Sequence, residues 1–249
     1  MTQSVPAALA IHTTSSSLGL CLSHPPNEVS IKTWDLGRDL SSQLHPLLRA
    51  FMQPYGLDQL DFMAVATGPG GFTSTRIGVV TARTLAQQLN LPLFGISSLA
   101  AFAWNWAIAS SPPLTDGTDG PAIAIQMPAR REQIFAAIYR LASIPDIPNL
   151  SSSQTLDRGG AMTHPANNPS LQITSQPFRL QPYQPEQVLD LSTWQQQLSQ
   201  FPHDVKVISI EGDLGHTAID VLALAWQAYQ AGCRPHWSTV QPFYGQSPV

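Results

Sequence analysis

Apolar and polar positions along the chain fall into blocks, and the clearest block runs from residue 62 to residue 89. Phe62 to Ala66 is a short apolar run typical of a buried strand. The Gly68-Pro69-Gly70-Gly71 cluster that follows predicts a tight turn. An amphipathic segment then continues to about Leu89, with Thr73 or Ser74 as its expected N-cap. The pattern predicts a strand, a turn and a helix.

The residues before this unit predict three strands and a helix. Apolar segments at 7–14 and 18–22 flank the polar turn Ser15-Ser16-Ser17, which indicates a hairpin, and 29–34 would add a third strand. Residues 39–52 carry apolar side chains at helical spacing, and Pro46 fits this helix only in its first turn. Such an order is typical of the start of an actin-like or ribonuclease-H-like half-domain.

The second part of the chain is less regular. The Ser-, Pro-, Gly- and Asp-rich run 110–120 is the best candidate linker between two lobes, and 144–200 shows little periodicity. The expected elements are a strand at 91–96, a helix at 97–109 capped by Ser97 or Ser98, strands at 121–127 and 133–141, a strand near 171–174, a helix near 192–198, a buried strand at 205–210 and a helix at 217–231. We expect Asp213, after the strand at 205–210, to be a helix cap, with a catalytic carboxylate as the alternative.

Composition narrows the class of protein. The 249 residues are 43% hydrophobic and only 11% charged, with a net charge of -4. Lys32 and Lys206 are the two lysines, so no basic stripe for nucleic-acid phosphates is expected, and direct, tight binding of nucleic acid by this chain alone is disfavoured. Cys21 and Cys233 are too few for a disulfide framework. Without a long apolar segment or an export signal, we expect a cytosolic protein.

A longer motif extends the glycine cluster. The sequence resembles the hallmark Gly-Pro-Gly-Ser-Phe-Thr-Gly-Leu-Arg-Ile-Gly of the TsaB (YeaZ) family, the dimerisation subunit of the bacterial machinery that makes threonylcarbamoyladenosine in tRNA. The matching residues are Gly68, Pro69, Gly70, Phe72, Thr73, Arg76, Ile77 and Gly78, followed by Ala82, Leu85, Ala86, Pro92, Gly95, Ser97, Ser98 and Leu99. Ala129, Arg130 and Arg131 match a further family turn.

The resemblance implies a fold and a role. It implies a two-lobed actin-like (ASKHA, ribonuclease-H-like) α/β fold with mixed sheets and flanking helices. We expect residues 1–110 to form the first lobe and 111–249 a smaller second lobe. It also implies a non-catalytic subunit that pairs with TsaD or with a second copy and supports TsaE, with ATP and metal on the partner subunits and tRNA reached only through the complex. No residue of this chain is predicted to be catalytic or to bind metal.

The implied sites lie on two helices and two turns. Partner binding is assigned to the helices at 39–52 and 73–89, through Leu44, Leu48, Thr73, Arg76, Ile77, Gly78, Thr81 and Ala82. An anion or nucleotide contact is assigned to Gly70, Gly71, Arg130 and Arg131. The alternatives are that the glycines only let the helix fold back on its strand, that the small helix side packs on the protein's own sheet, and that the arginines form an ordinary solvated turn.

Three positions depart from the family pattern. His12 stands where members usually have an aspartate, Pro128 replaces an acidic residue, and Gly245 lies where an arginine is usual. An imidazole is a poor substitute for a carboxylate that binds magnesium, which disfavours independent ATP hydrolysis. We expect His12 to be a partly buried histidine satisfied by nearby hydroxyls, with a proton shuttle or ligand as the alternative. The rival functions are an actin-like kinase or transferase acting alone and, more remotely, a hydrolase.

Overall fold

Two mixed sheets organise the computed structural model of the chain, which describes residues 6–25, 28–53, 55–110, 122–143, 178–202 and 204–245. The first sheet contains β1 (Ala8–His12), β2 (Ser17–His24), β3 (Glu28–Asp35), β4 (Phe62–Ala66) and β5 (Leu93–Ile96). Its order is β3-β2-β1-β4-β5, with β1, β2 and β3 antiparallel and β1, β4 and β5 parallel. This is the predicted ribonuclease-H-like arrangement.

Three helices accompany the first sheet, namely α1 (Leu40–Met52), α2 (Phe72–Leu89) and α3 (Ser98–Ser110). Leu44 and Leu48 lie one turn apart on α1 and are buried, because that face packs on the sheet. Pro46 lies in the interior of α1, so its predicted place in the first turn was wrong. Pro46 and Ser42 are both exposed, so water can reach the Ser42 carbonyl that a proline cannot pair.

Two predicted helix caps have different outcomes. The α2 helix begins at Phe72 after Gly71, and the Ser74 hydroxyl donates back to the Gly71 carbonyl, so neither Thr73 nor Ser74 is its N-cap. The Ser97 hydroxyl accepts hydrogen bonds from the backbone N–H groups of Leu99 (3.1 Å) and Ala100 (3.3 Å), which confirms it as the cap of α3.

The second sheet has the order β8-β7-β6-β9, built from β6 (Ala122–Pro128), β7 (Gln133–Ser143), β8 (Phe178–Asp190) and β9 (Val205–Ser209). The helices α4 (Leu191–Ser199) and α5 (Ala218–Gln230) belong to the same part of the chain. The predicted strands at 121–127 and 133–141 and the two helices are confirmed within one or two residues. The prediction of a buried strand at 205–210 was wrong in burial, because β9 is an exposed strand paired with β6 alone among the described residues. The strand β8 was not predicted. Residues 111–120 of the expected linker (110–120) and the strand near 171–174 lie outside the described residues.

The layers share a continuous core. One face of the first sheet packs against α1 and α2, and its other face packs against α3 and α5. The inner face of the second sheet closes over α3 and α5, while α4 covers part of its outer face. The division at residue 110 stays a prediction, but α5 follows that boundary and packs on the first sheet, so buried contacts cross it.

No helix within the described ranges combines the length and the apolar character required to cross a bilayer.

The packing of α2 on β1 depends on Gly78. A methyl group at Gly78 would overlap the Thr13 hydroxyl oxygen. We therefore expect Gly78→Ala to lower the free energy of unfolding by about 1–3 kcal/mol, as overpacked cores do. Urea denaturation measures the change. Thr84→Ala, on the exposed side of the same helix, is the matched control and should change it by less than about 0.5 kcal/mol. Equal stability of the two variants would contradict the close packing.

Candidate functional site

The carboxyl ends of the parallel strands β1, β4 and β5 meet at one edge of the first sheet. Ligands of α/β sheets bind outside such an edge, where loops and helix N-termini converge. His12, the glycine turn and Ser97 all follow these strand ends. This edge is therefore the first place to examine for a site.

The glycine turn packs tightly against the turn between β1 and β2. The Gly71 N–H donates to the Thr14 carbonyl at 2.8 Å, and a methyl group at Gly70 would overlap the same carbonyl oxygen. The Thr14 and Ser98 hydroxyls share a hydrogen bond of 2.9 Å, and the Ser98 N–H donates to the Gly68 carbonyl at 2.7 Å. The anion contact assigned to Gly70 and Gly71 stays a prediction, and the structure shows that Gly70 and the Gly71 N–H contact Thr14.

The segment before α5, residues 213–217, packs against the β1–β2 hairpin next to this edge. The Ser15 hydroxyl accepts from the Leu214 N–H at 2.9 Å, and the Ser16 hydroxyl donates to Asp213 Oδ1 at 2.5 Å. A methyl group at Gly19 would overlap the Gly215 carbonyl, so the two backbones touch. Asp213 therefore bonds to the β1–β2 turn and does not cap a helix as predicted, since the residue at the N-cap of α5 is Thr217.

The last described residues cross the edge from the other side. The Phe243 N–H donates to the Thr67 carbonyl at 2.7 Å, and the Tyr244 ring lies 4.3 Å from the Phe72 ring. Gly245 reaches the second sheet, where an added methyl group would lie 2.6 Å from Val188. We call residues 13–19, 67–71 and 213–217, together with this tail, the closed edge.

His12 is buried beneath the closed edge without a hydrogen bond. Its side chain is fully buried and both ring nitrogens lack a partner, so the predicted hydroxyl partners are not there. Burial, and then the nearby His216, lower the pKa of His12 to about 3. The ring is neutral at physiological pH, and its uncompensated nitrogens cost about 1–3 kcal/mol by the usual price of an unmade buried hydrogen bond.

Two other buried groups have shifted pKa values. Burial raises the pKa of Asp220 well above its usual range, although Asn105 donates to its carboxyl at 3.1 Å and opposes the shift. Burial and the neighbouring Glu186 raise the pKa of Tyr139, whose hydroxyl donates to Glu186 at 2.8 Å. Both residues lie in the shared core between the sheets and are structural.

An actin-like fold implies a magnesium nucleotide at this edge, and the residues present do not fit one. The position at the end of β1 holds a neutral imidazole in place of a hard carboxylate. Thr14 lies against the side of Gly70 where a Cβ would stand and accepts the Gly71 N–H, so these groups are used within the protein. Among the described residues, no three His, Cys, Asp or Glu side chains cluster as metal ligands.

Five of the predicted partner-binding residues are buried in their own half of the molecule. Leu44, Leu48 and Ala82 belong to the core between the sheet and the two helices, and Gly78 and Thr81 are buried beside it. The prediction that these side chains contact a partner is therefore corrected, because the small side of α2 faces the protein's own sheet. Small residues on a helix permit close approach of either the protein's own sheet or a partner helix, so the sequence did not decide between these two alternatives.

The opposite side of α2 faces solvent. Thr73, Arg76, Val80 and Thr84 are exposed at helical spacing, Val80 to 51%, while Ile77 is half-buried against the core. On α1, which covers the same sheet face, a shallow depression is lined by His45, Pro46, Arg49, Ala50 and Gln53. We call these exposed residues of α1 and α2 the outer helical surface. Val80 was not among the predicted site residues, because a valine within an amphipathic helix looks like a core residue.

Arg130 and Arg131 lie in a different half of the fold from the glycine turn. They are exposed in the turn between β6 and β7, where Arg131 and Glu132 adopt φ angles of 59° and 60°. Side chains other than glycine adopt such angles at a cost of about 1 kcal/mol or more. The anion contact assigned to this pair stays a prediction.

Comparison with known proteins agrees with the class that this topology defines, an actin-like α/β protein with two mixed sheets. Two solved structures from Pseudomonas aeruginosa match nearly the whole chain. One is named YeaZ, with a TM-score of 0.65 at 20% identity over 96% of this chain and 100% of that one. The other is an uncharacterized protein with similarity to peptidase YEAZ, with a TM-score of 0.66 at 20% identity over 97% and 100%.

Sequence relatives are consistent with these structures. A family model for TsaD, tRNA N6-adenosine threonylcarbamoyltransferase, matches residues 35–147. The tRNA threonylcarbamoyladenosine biosynthesis protein TsaB of Bacillus subtilis is 30% identical over 134 residues, which are 53% of this chain and 54% of that protein. The TsaB of Haemophilus influenzae is 46% identical over 48 residues, 19% of this chain and 20% of that one. The chain thus spans about half the length, or less, of these curated relatives. The chain is therefore similar to TsaB in sequence over about half its length and to YeaZ in fold over nearly all of it.

The buried His12 predicts a specific acid sensitivity. Because the folded pKa is about 3 and the unfolded value is about 6.5, the unfolded chain binds the extra proton as the pH falls through this window. His12 should therefore subtract up to about 1.4 kcal/mol of stability per pH unit between pH 6 and pH 4. The free energy of unfolding, measured by urea denaturation at several pH values, should fall less steeply with decreasing pH in His12→Leu, by that amount per pH unit. His45→Leu, an exposed histidine, is the control, and equal slopes in all three proteins would contradict the burial of His12.

Proposed function

We propose that this chain is a non-catalytic subunit of a tRNA threonylcarbamoyladenosine-forming complex, and that it pairs with TsaD through its outer helical surface. The TsaB relatives are named as biosynthesis proteins of this modification, and another relative is named as the transferase itself. In this proposal the transferase partner carries out the chemistry, with ATP and metal on the partner subunits and TsaE as a further partner. The tRNA is reached through the complex, in the cytoplasm.

The closed edge is the observation that carries the proposal. At the carboxyl ends of the parallel strands, Thr14 lies against Gly70, and Gly215 lies against Gly19 at the neighbouring β1–β2 hairpin. Opening the closed edge would break the bonds from Ser15 to Leu214 and from Ser16 to Asp213. A subunit whose ligand edge is occupied by its own backbone is better suited to positioning a partner than to catalysis.

The outer helical surface supports the partner role. Its exposed valine and arginine, Val80 and Arg76, lie one turn apart on α2, and Arg49 is exposed on α1. An apolar centre flanked by arginines is a composition found at protein interfaces. Both helices lie on one face of the first sheet, so a partner helix pair could contact them together.

Association with TsaD provides the main test. Val80→Asp and Arg76→Glu should weaken co-purification with the TsaD of the same cell by about tenfold or more, as expected for loss of central interface contacts. Threonylcarbamoyladenosine in tRNA should fall in parallel, measured with and without this chain. Circular dichroism should show that both variants remain folded, because both positions are exposed.

Ile31→Asp is the control for this test. Ile31 is 40% exposed on β3, the edge strand of the first sheet, so this change adds the same charge outside the outer helical surface. Its association with TsaD should match that of the unsubstituted chain. Undiminished pairing by Val80→Asp, or equal losses in all three variants, would refute the proposed surface.

Nucleotide binding provides an independent test. Calorimetric titration of the isolated chain with ATP and magnesium should give no measurable heat of binding, because Thr14 already contacts Gly70 and accepts the Gly71 N–H. Gly70→Ala should not bind ATP either, because its methyl group would lie against the Thr14 carbonyl oxygen. Micromolar binding accompanied by ATP turnover would favour the actin-like kinase or transferase instead.

A further inference from the structure

The outer face of the second sheet carries an exposed aromatic ring, Tyr183, beside Arg140, and a second arginine, Arg179, lies further along the same strand. Side chains alternate between the faces of a strand. On β8, Phe178 and Leu180 point into the shared core, so Arg179 and Gln181 point outward. The pairing of β7 and β8 shifts register at Tyr183, and its contacts with Arg140 and Phe201 place its ring on the same outer face. On β7, Tyr139 and Leu141 point inward, and Arg140 points outward opposite Gln181. With Phe201, these four outward side chains form what we call the Tyr183 face.

Tyr183 is held in place by its neighbours but remains accessible. The guanidinium carbon of Arg140 lies 4.5 Å from the centre of the Tyr183 ring, and the Phe201 ring meets it edge-on at 5.0 Å. Even so, 48% of Tyr183 is exposed. A cation against one side of a fixed, half-exposed ring leaves the remaining ring surface available for another flat group to stack on.

Of the four outward side chains, the two that carry charge are arginines. With the Gln181 amide oriented to satisfy both groups, its oxygen accepts from Arg179 Nε at 2.9 Å and Nη2 at 2.8 Å. This partner is neutral, so it fixes the guanidinium without cancelling its charge. Glu186, an acidic residue of β8, accepts a hydrogen bond from Tyr139 of the core, and the glutamines at 184 and 187 continue the polar surface towards α4. The face therefore complements a polyanion.

We propose that the Tyr183 face binds single-stranded RNA, with one base stacked on Tyr183 and a neighbouring phosphate held by Arg179. A sheet face that combines an exposed aromatic ring, arginine forks and amides can stack a base, bind its backbone and donate to its edge. The choice of RNA rests on the proposed role in tRNA modification, and the contact itself rests on this face. The net charge of -4 makes it a weak contact that supplements the main tRNA site.

The test measures RNA affinity separately from pairing with TsaD. Fluorescence anisotropy of labelled tRNA transcript and of an oligouridylate is followed at about 50 mM salt with the full chain alone and with the TsaD complex. Tyr183→Ala should weaken binding by about fivefold or more, as for loss of one stacked base. Tyr183→Phe, which keeps the ring, should bind as the unsubstituted chain does. Arg179→Gln should make the RNA binding constant less dependent on salt concentration, by the amount that corresponds to about one phosphate contact.

Each other outcome overturns the inference. If Tyr183→Ala leaves RNA affinity unchanged within twofold in both forms, or if the unsubstituted chain adds nothing to the RNA affinity of TsaD and does not bind alone, the face is not an RNA site. If polyglutamate binds with the same dependence on Tyr183, the partner is an acidic protein. Ile31→Ala, an exposed apolar residue on the first sheet, is the control for nonspecific loss. Failure of TsaD pairing alone would affect only the proposed function, because the isolated chain reports the RNA contact.

Discussion

The contact of Thr13 and Thr14 with the start of α2 is the constraint on which the first half of the fold depends. Thr14 meets the glycine turn at Gly70, and Thr13 meets α2 one and a half turns further on, at Gly78. The Thr13 hydroxyl also donates to the Ser74 carbonyl at 2.9 Å. Two neighbouring residues at the end of β1 thereby fix both the entry point and the direction of the helix. The helix in turn presents Arg76 and Val80 to solvent, so the exposed surface is a consequence of where small residues permit close approach.

The same contact determines what the sheet edge can do. Closing it uses the Gly71 N–H, the Thr14 carbonyl and the hydroxyls of Ser15 and Ser16, which are the groups that a phosphate or a metal-bound water would need. It also leaves His12 without a partner in a dry environment. A buried carboxylate at position 12 would carry a much larger desolvation cost than a neutral imidazole. A closed edge and a histidine at the end of β1 are thus mutually consistent, and together they favour a function located on the surface.

The sequence could predict the elements more readily than their surroundings. The run at 62–66 was correct to the residue, because five successive apolar side chains fit a strand buried on both faces. The strand β8 was missed because Pro182, Pro185 and several glutamines interrupt its pattern, and such interruptions are tolerated at a sheet edge. The burial of β9 was overestimated for a related reason, since an apolar run does not reveal whether a strand has one neighbour or two. At the candidate site, the glycine motif was visible, but its contact with Thr14 joins residues far apart in sequence, and no local pattern encodes it.

The order of layers separates the two surfaces to which we assign partners. The outer helical surface lies beyond the first sheet, and the Tyr183 face lies on the far side of the second sheet, with α3 and α5 between the sheets. With layers spaced by about 10 Å, the two surfaces are a few tens of ångströms apart. Substitutions on one should therefore leave the free energy of binding at the other unchanged, as expected for distant sites without shared contacts. A protein partner on α1 and α2 would not cover Tyr183. An RNA that touches both that partner and Tyr183 must extend around the edge of the molecule, which only an RNA of considerable length can do.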